Sequence, residues 1–137
     1  MSASVSLLGS CVTTAPQTMA TVHIEVDVYS GRPNPTWELT HADAERFRAL
    51  VAALPRRSGS GPASSEGLGY RGLRVTVTAD GAIERFSIAK GVVTVESAAV
   101  ADQPTLRDPD RALEKWLLRT GRDQLGADLL EHLLASQ

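Results

Sequence analysis

The sequence predicts an α+β fold: an antiparallel sheet, made of an N-terminal strand or hairpin and a three-strand meander, packed on one side by one helix and a C-terminal helical hairpin. Three observations predict it. Residues 21–29, TVHIEVDVY, alternate apolar and polar side chains with the period of a half-buried strand. Residues 73–97 contain two tight turns, Asp80-Gly81 and Lys90-Gly91, whose separate registers agree on one apolar face. Near the C-terminus, Ala112, Leu113, Trp116 and Leu117, then Leu125, Leu129, Leu130, Leu133 and Leu134, recur at the three-and-four spacing of amphipathic helices that need a surface to cover.

In the first strand Val22, Ile24, Val26 and Val28 take one face, and His23, Glu25, Asp27 and Tyr29 the other. The segment TWEL at 36–39 can pair back against it, which leaves SGRPNP at 30–35 as a loop stiffened by Pro33 and Pro35. Thr40 reads as a helix N-cap with Asp43 three residues on, and Ala44, Phe47, Leu50, Val51 and Leu54 share one face of a helix over 41–54 that Pro55 stops. Residues 55–67, PRRSGSGPASSEG, lack an apolar period and have the composition of a flexible loop.

Within the meander, pairing Ala79 with Ala82 puts Val75 opposite Phe86 and Leu73 opposite Ile88. Pairing Ala89 with Val92 then sets Ile88 against Val93 and Phe86 against Val95, so both turns specify the same face. A linker over 98–107 leads to Asp108-Pro109, an N-cap with proline in the first turn, and to helices near 109–119 and 123–135 joined at Gly121. Residues 1–19 read as a disordered N-terminal extension and residues 20–137 as a single α+β domain.

The chain has 137 residues, is 42% hydrophobic and only 4% aromatic, so the expected core is aliphatic, with Phe47, Phe86 and Trp116 as its large pieces. A net charge of -2 lacks the concentrated positive field that a nucleic-acid backbone requires. No run of about 18 apolar residues predicts a membrane span. Cys11 is the single cysteine, which leaves no disulfide or CxxC pair and fits a reducing, cytoplasmic compartment. Its setting, SVSLLGSCV, has a faint likeness to a lipoprotein cleavage site, yet no Lys or Arg precedes it and the apolar run is shorter than the roughly 7–15 residues of a signal core.

Two loops are candidates for recognition. In SGRPNPTW, 30–37, the prolines would present Arg32 and Asn34 with little entropy left to lose, and a guanidinium fork beside a carboxamide suits a carboxylate, a phosphate or peptide backbone. In GLGYRG, 67–72, three glycines bracket Tyr70 and Arg71. If both loops lie at one end of the sheet, Arg32, Asn34, Tyr70, Arg71 and Asp27 converge on one anion-friendly pocket with Trp37 as its apolar wall. The plainer alternative stays open: a turn whose arginine is solvated, a Trp37 that packs on the first helix, and a close backbone crossing at the glycines.

His23, Glu25 and Asp27 point one way from one strand, but neighbours two apart are about 7 Å apart and cannot readily share an ion, so no metal site is expected. The spacings of nucleotide-binding loops and of a nucleophile elbow are missing, so no cofactor is expected either. The function these residues suggest is a small binding or accessory domain that recognises a peptide or small anionic ligand through residues 30–37. Arg32→Ala would then cost about 1.5–3 kcal/mol of ligand affinity, as for a lost charged hydrogen bond. The alternative is a small cofactor-free isomerase, cyclase or hydrolase with Asp27 or His41 as base and Arg32 or Arg71 as stabiliser, which a raised Asp27 pKa would favour. No residue pattern specifies an oligomeric state.

Overall fold

Alternation and tight turns decide where this chain folds back, and the computed structural model describes residues 20–57, 69–96 and 104–135 of it. Its strands are β1 (Thr21–Val26), β2 (Thr36–Glu38), β3 (Leu73–Ala79), β4 (Ala82–Ala89), β5 (Val92–Glu96) and β6 (Thr105–Arg107). Helix α1 (His41–Ala52) lies between β2 and β3, and α2 (Ala112–Thr120), α3 (Arg122–Leu125) and α4 (Ala127–Ala135) follow the sheet. The strands form one antiparallel sheet in the order β2-β1-β3-β4-β5-β6, so the fold is the α+β class the sequence predicts. The N-terminal extension with Cys11, residues 58–67 of the expected loop and residues 98–103 of the expected linker lie outside the described residues. No helix among the described residues is long and apolar enough to cross a membrane.

Both meander registers are as expected: Val75 faces Phe86, Leu73 faces Ile88, and Ile88 faces Val93. The turns work because both central residues take positive φ, 52° and 77° at Asp80-Gly81 and again at Lys90-Gly91, which matches the right-handed twist of the flanking strands. One face of the sheet is the core. Val22, Ile24, Leu73, Val75, Phe86 and Ile88 are buried there beneath Ala44 and Phe47 of α1 and the leucines of α2 and α4. The rings of Phe47 and Phe86 meet edge to face at 5.5 Å, the arrangement their quadrupoles favour.

Several boundaries differ from the expectation, each for a local reason. Strand β1 ends at Val26 rather than at residue 29 because Asp27 pairs irregularly, its N–H donating to Gly72 O and its carbonyl accepting from Arg71 N, and the donors after it, Val28 and Tyr29, give their N–H groups to Asn34 Oδ1 instead of to a strand. Thr40 does cap α1, its hydroxyl accepting from Asp43 N at 3.2 Å, but the helix closes at Ala52. Part of the expected linker is β6, and part of the expected loop pairs with it: Arg107 N donates to Pro55 O at 2.8 Å and Arg57 N to Thr105 O at 2.9 Å. That segment covers the β6 edge, which would otherwise expose unpaired backbone groups.

Asp108 caps as predicted, but across a gap. Its two carboxylate oxygens accept from Leu113 N at 2.8 Å and Glu114 N at 3.0 Å, over a left-handed pair, Asp110 and Arg111, at φ 57° and 55°. Helix α2 therefore starts at Ala112, three residues later than expected from Asp108-Pro109. Gly126, at φ 82°, then breaks the expected second helix into α3 and α4. Trp116, expected inside, is only half-buried with the Arg46 guanidinium 5.7 Å from its ring, and Trp37 occupies the core instead.

Candidate functional site

Because strand side chains alternate, burying one face of the sheet in helices presents the polar phase of β1, β3, β4 and β5 on the other. That face forms an open groove of about 640 Å³. Strand registers order its floor into rungs: Glu25, Arg74, Ser87 and Thr94 lie across four strands, and His23, Thr76, Arg85 and Glu96 form the next rung. Beyond the first of these lie Asp27, Gly72, Ala89 and Val92.

A β-bulge sets the charged end of the groove. Asp27 N donates to Gly72 O at 2.9 Å while Arg71 N donates to Asp27 O at 2.7 Å, so two residues of one chain segment oppose one of the other. The extra residue inverts the alternation. Arg71, which regular pairing would turn toward the helices, instead enters the groove, and Tyr70 turns to the helical side. Gly72 permits this at φ 112°; a Cβ there would stand 2.6 Å from Ile88 O and 2.8 Å from Ala89 Cβ.

Asp27 is the hub of the result. Arg71 Nη2 reaches Asp27 Oδ1 at 2.7 Å and Tyr29 O at 3.2 Å, while Arg74 Nη2 reaches Asp27 Oδ2 at 3.1 Å. The Arg71 hydrogen bond, helped by the charges of Arg74 and Arg71 and opposed by burial, holds the Asp27 carboxyl below its ordinary 3.8. A carboxyl whose folded pKa is depressed contributes stability that is present above the unfolded value and lost as pH falls through the folded one. Carboxyl-detected NMR titration should therefore place the Asp27 midpoint below 3.8, and Arg71→Ala should raise it. A midpoint that Arg71→Ala leaves unmoved would show that this pair does not hold Asp27 ionised.

The other expected site residues are dispersed. Asn34 fastens its own loop: Oδ1 accepts from Val28 N at 3.1 Å and Tyr29 N at 2.8 Å, and Nδ2 donates to Glu25 Oε2 at 2.9 Å, which ties the loop to the edge of the groove. Arg32 is exposed outside the groove with its guanidinium 3.8 Å from the centre of the Tyr29 ring. Trp37 pairs with Ile24 and so faces the helices, where its Nε1 donates to Thr120 Oγ1 at 2.9 Å. Tyr70 donates its hydroxyl to the buried Glu114 on the same side. His41 is exposed at the start of α1, 3.8 Å from Glu45. Of the six expected residues, only Asp27 and Arg71 come together in the groove, and the pocket walled by Trp37 does not form.

Arg74, Arg85, Ser87, Thr94 and Glu96 join them there, and the signal for them in the sequence is that they form the polar phase of the meander, opposite its apolar face. Among the described residues no group of three His, Cys, Asp or Glu side chains is placed to hold a metal ion. No protein-family model, curated protein or solved structure matches this chain.

Proposed function

We propose that the protein is a small binding or accessory domain that takes a small anionic ligand, a carboxylate or a phosphate, on the open face of its sheet. One observation carries this reading: the groove holds three guanidinium groups, and only Arg71 is fully engaged by Asp27. Arg74 spends a single Nη2 contact on that carboxylate and its side chain remains 62% exposed. The side chain of Arg85, on the adjacent strand, makes no hydrogen bond or ion pair among the described residues. Two guanidinium forks beside the Thr76 and Ser87 hydroxyls are suited to an anion, and the rigid strands leave little ordering to be done on binding.

Asp27 serves this reading as an orienting group. Held ionised between two arginines, it is a poor general base, and His41 lies outside the groove, so the cofactor-free enzyme alternative draws less support than binding. The Ser and Pro loop over 30–35 supports the rim rather than the floor.

Heteronuclear NMR titration with acetate and inorganic phosphate tests the reading on wild type, Arg85→Ala and Arg32→Ala. Chemical-shift changes should centre on Arg74, Thr76, Arg85 and Ser87. Arg85→Ala should weaken binding by about tenfold or more, the loss expected of a charged hydrogen bond, and Arg32→Ala should change it less than about twofold. If Arg32→Ala abolishes binding and Arg85→Ala does not, the loop is the site and the sheet face is only a solvated surface.

A further inference from the structure

Arg85 and Glu96 stand directly opposite each other on β4 and β5, yet they form no ion pair. Side chains so placed have Cβ atoms about 4.5–5.5 Å apart, well within reach of one another. Glu96 turns aside instead: its Oε2 accepts from Ser87 Oγ at 2.6 Å, one rung toward the middle of the groove. Its Oε1 carries no partner among the described residues. The groove thus presents, around the Ser87 and Thr94 rung, two guanidinium groups with spare donors and one carboxylate with a spare acceptor, held apart by the Ser87 hydroxyl.

The next rung, about 7 Å further along the strands, is Ala89 opposite Val92, with the bare Gly72 beyond. The β4–β5 half of this rung is apolar, while its β1–β3 half carries Asp27 and Arg71, already paired with each other. A ligand centred on the Ser87 rung therefore meets positive charge toward β3, negative charge toward the end of β5, and an apolar step at the distance of an aliphatic side chain.

Building on the anion-binding reading above, we propose that the ligand is a small zwitterion, an α-amino acid with a short aliphatic side chain. Its carboxylate lies between Arg74 and Arg85, its ammonium group against Glu96, and its side chain over Ala89 and Val92. Ser87 is a positioning residue, keeping Glu96 away from Arg85 so that neither charge is spent on the other. Simple anions satisfy only the arginine half of this arrangement and leave Glu96 as a repulsive neighbour.

Isothermal titration calorimetry on the full chain can separate the two halves, using valine, N-acetylvaline, which lacks the ammonium group, and valinamide, which lacks the carboxylate, beside acetate and phosphate. Valine should bind about tenfold or more tightly than either derivative. Glu96→Gln should bring valine down to the level of N-acetylvaline while leaving N-acetylvaline itself unchanged or slightly improved. Ser87→Ala, which leaves both charges in place, should narrow the same gap at an unchanged melting temperature. N-acetylvaline or acetate binding as tightly as valine would overturn the zwitterion and leave the anion reading intact. No binding of valine, acetate or phosphate would remove both.

Discussion

Replacing Trp37 by alanine should lower the unfolding free energy by about 3–5 kcal/mol, the range for truncating a buried large aromatic. Trp37 is 6% exposed, lies on a three-residue edge strand, and is that strand's only side chain in the core. Its indole N–H donates to Thr120 Oγ1, which in turn donates to Leu117 O at 2.5 Å, so the ring fastens β2 to the C-terminal turn of α2. Gly121 completes the seat. A Cβ at that position would stand 2.4 Å from Trp37 Cζ2, closer than any side chain tolerates. Gly121→Ala should therefore cost about 1–3 kcal/mol by overpacking, although its φ of -100° suits any residue. Combined with Trp37→Ala, the same methyl group would enter the vacated space, and the double variant should be more stable than the sum of the two losses predicts. Urea unfolding of the four proteins measures the coupling. Strict additivity would mean that the ring and the glycine do not meet in solution.

Trp37 also shows where the sequence could be read and where it could not. The class, the first hairpin and the meander registers were legible because each rests on short-range rules: alternation, a two-residue turn and a proline-stiffened loop. The face of Trp37 follows from the same register, since TWEL pairing against β1 sets Trp37 opposite Ile24 on the apolar side. Its proximity to polar residues in the sequence suggested a binding wall, but on a strand adjacent residues point to opposite faces. Arg71 and Tyr70 were harder. Regular alternation back from Leu73 would put Arg71 toward the helices and Tyr70 in the groove, and only the bulge at Gly72 exchanges them. A glycine immediately before a strand was the available sign. The partners of Tyr70, Glu114 and Arg111, lie more than forty residues away on an element whose start is set by two left-handed residues, and no local pattern foretells that.

Glu114→Ala should be as damaging as the loss of Trp37, about 3–5 kcal/mol, because it breaks a buried ion pair from one side. Glu114 is completely buried; it accepts from Arg111 Nε at 3.1 Å and Arg111 Nη2 at 2.8 Å, and it also receives the Tyr70 hydroxyl. Removing the carboxylate leaves a guanidinium whose side chain is only 14% exposed, and a half-buried phenol, both without their main acceptor. Tyr70→Phe removes one donor to that carboxylate and leaves the ion pair in place, so it should cost less, about 1.5–3 kcal/mol, as for a lost hydrogen bond to a charged group. The phenol separates the two through pH. Burial first, and then the negative charge of Glu114, push its pKa well above the usual 10.0. A raised folded pKa gives stability that is fully present below the unfolded value and is lost as pH rises past it. Wild type should therefore lose stability above about pH 10, and Tyr70→Phe should lose less over the same interval. Since Tyr70 and Arg71 leave the bulge on opposite faces, releasing the buried anchor should also loosen the hold of Arg71 on Asp27. Tyr70→Phe is then expected to raise the Asp27 titration midpoint as well, and a midpoint that stays in place would mean that the helical side and the groove are held independently.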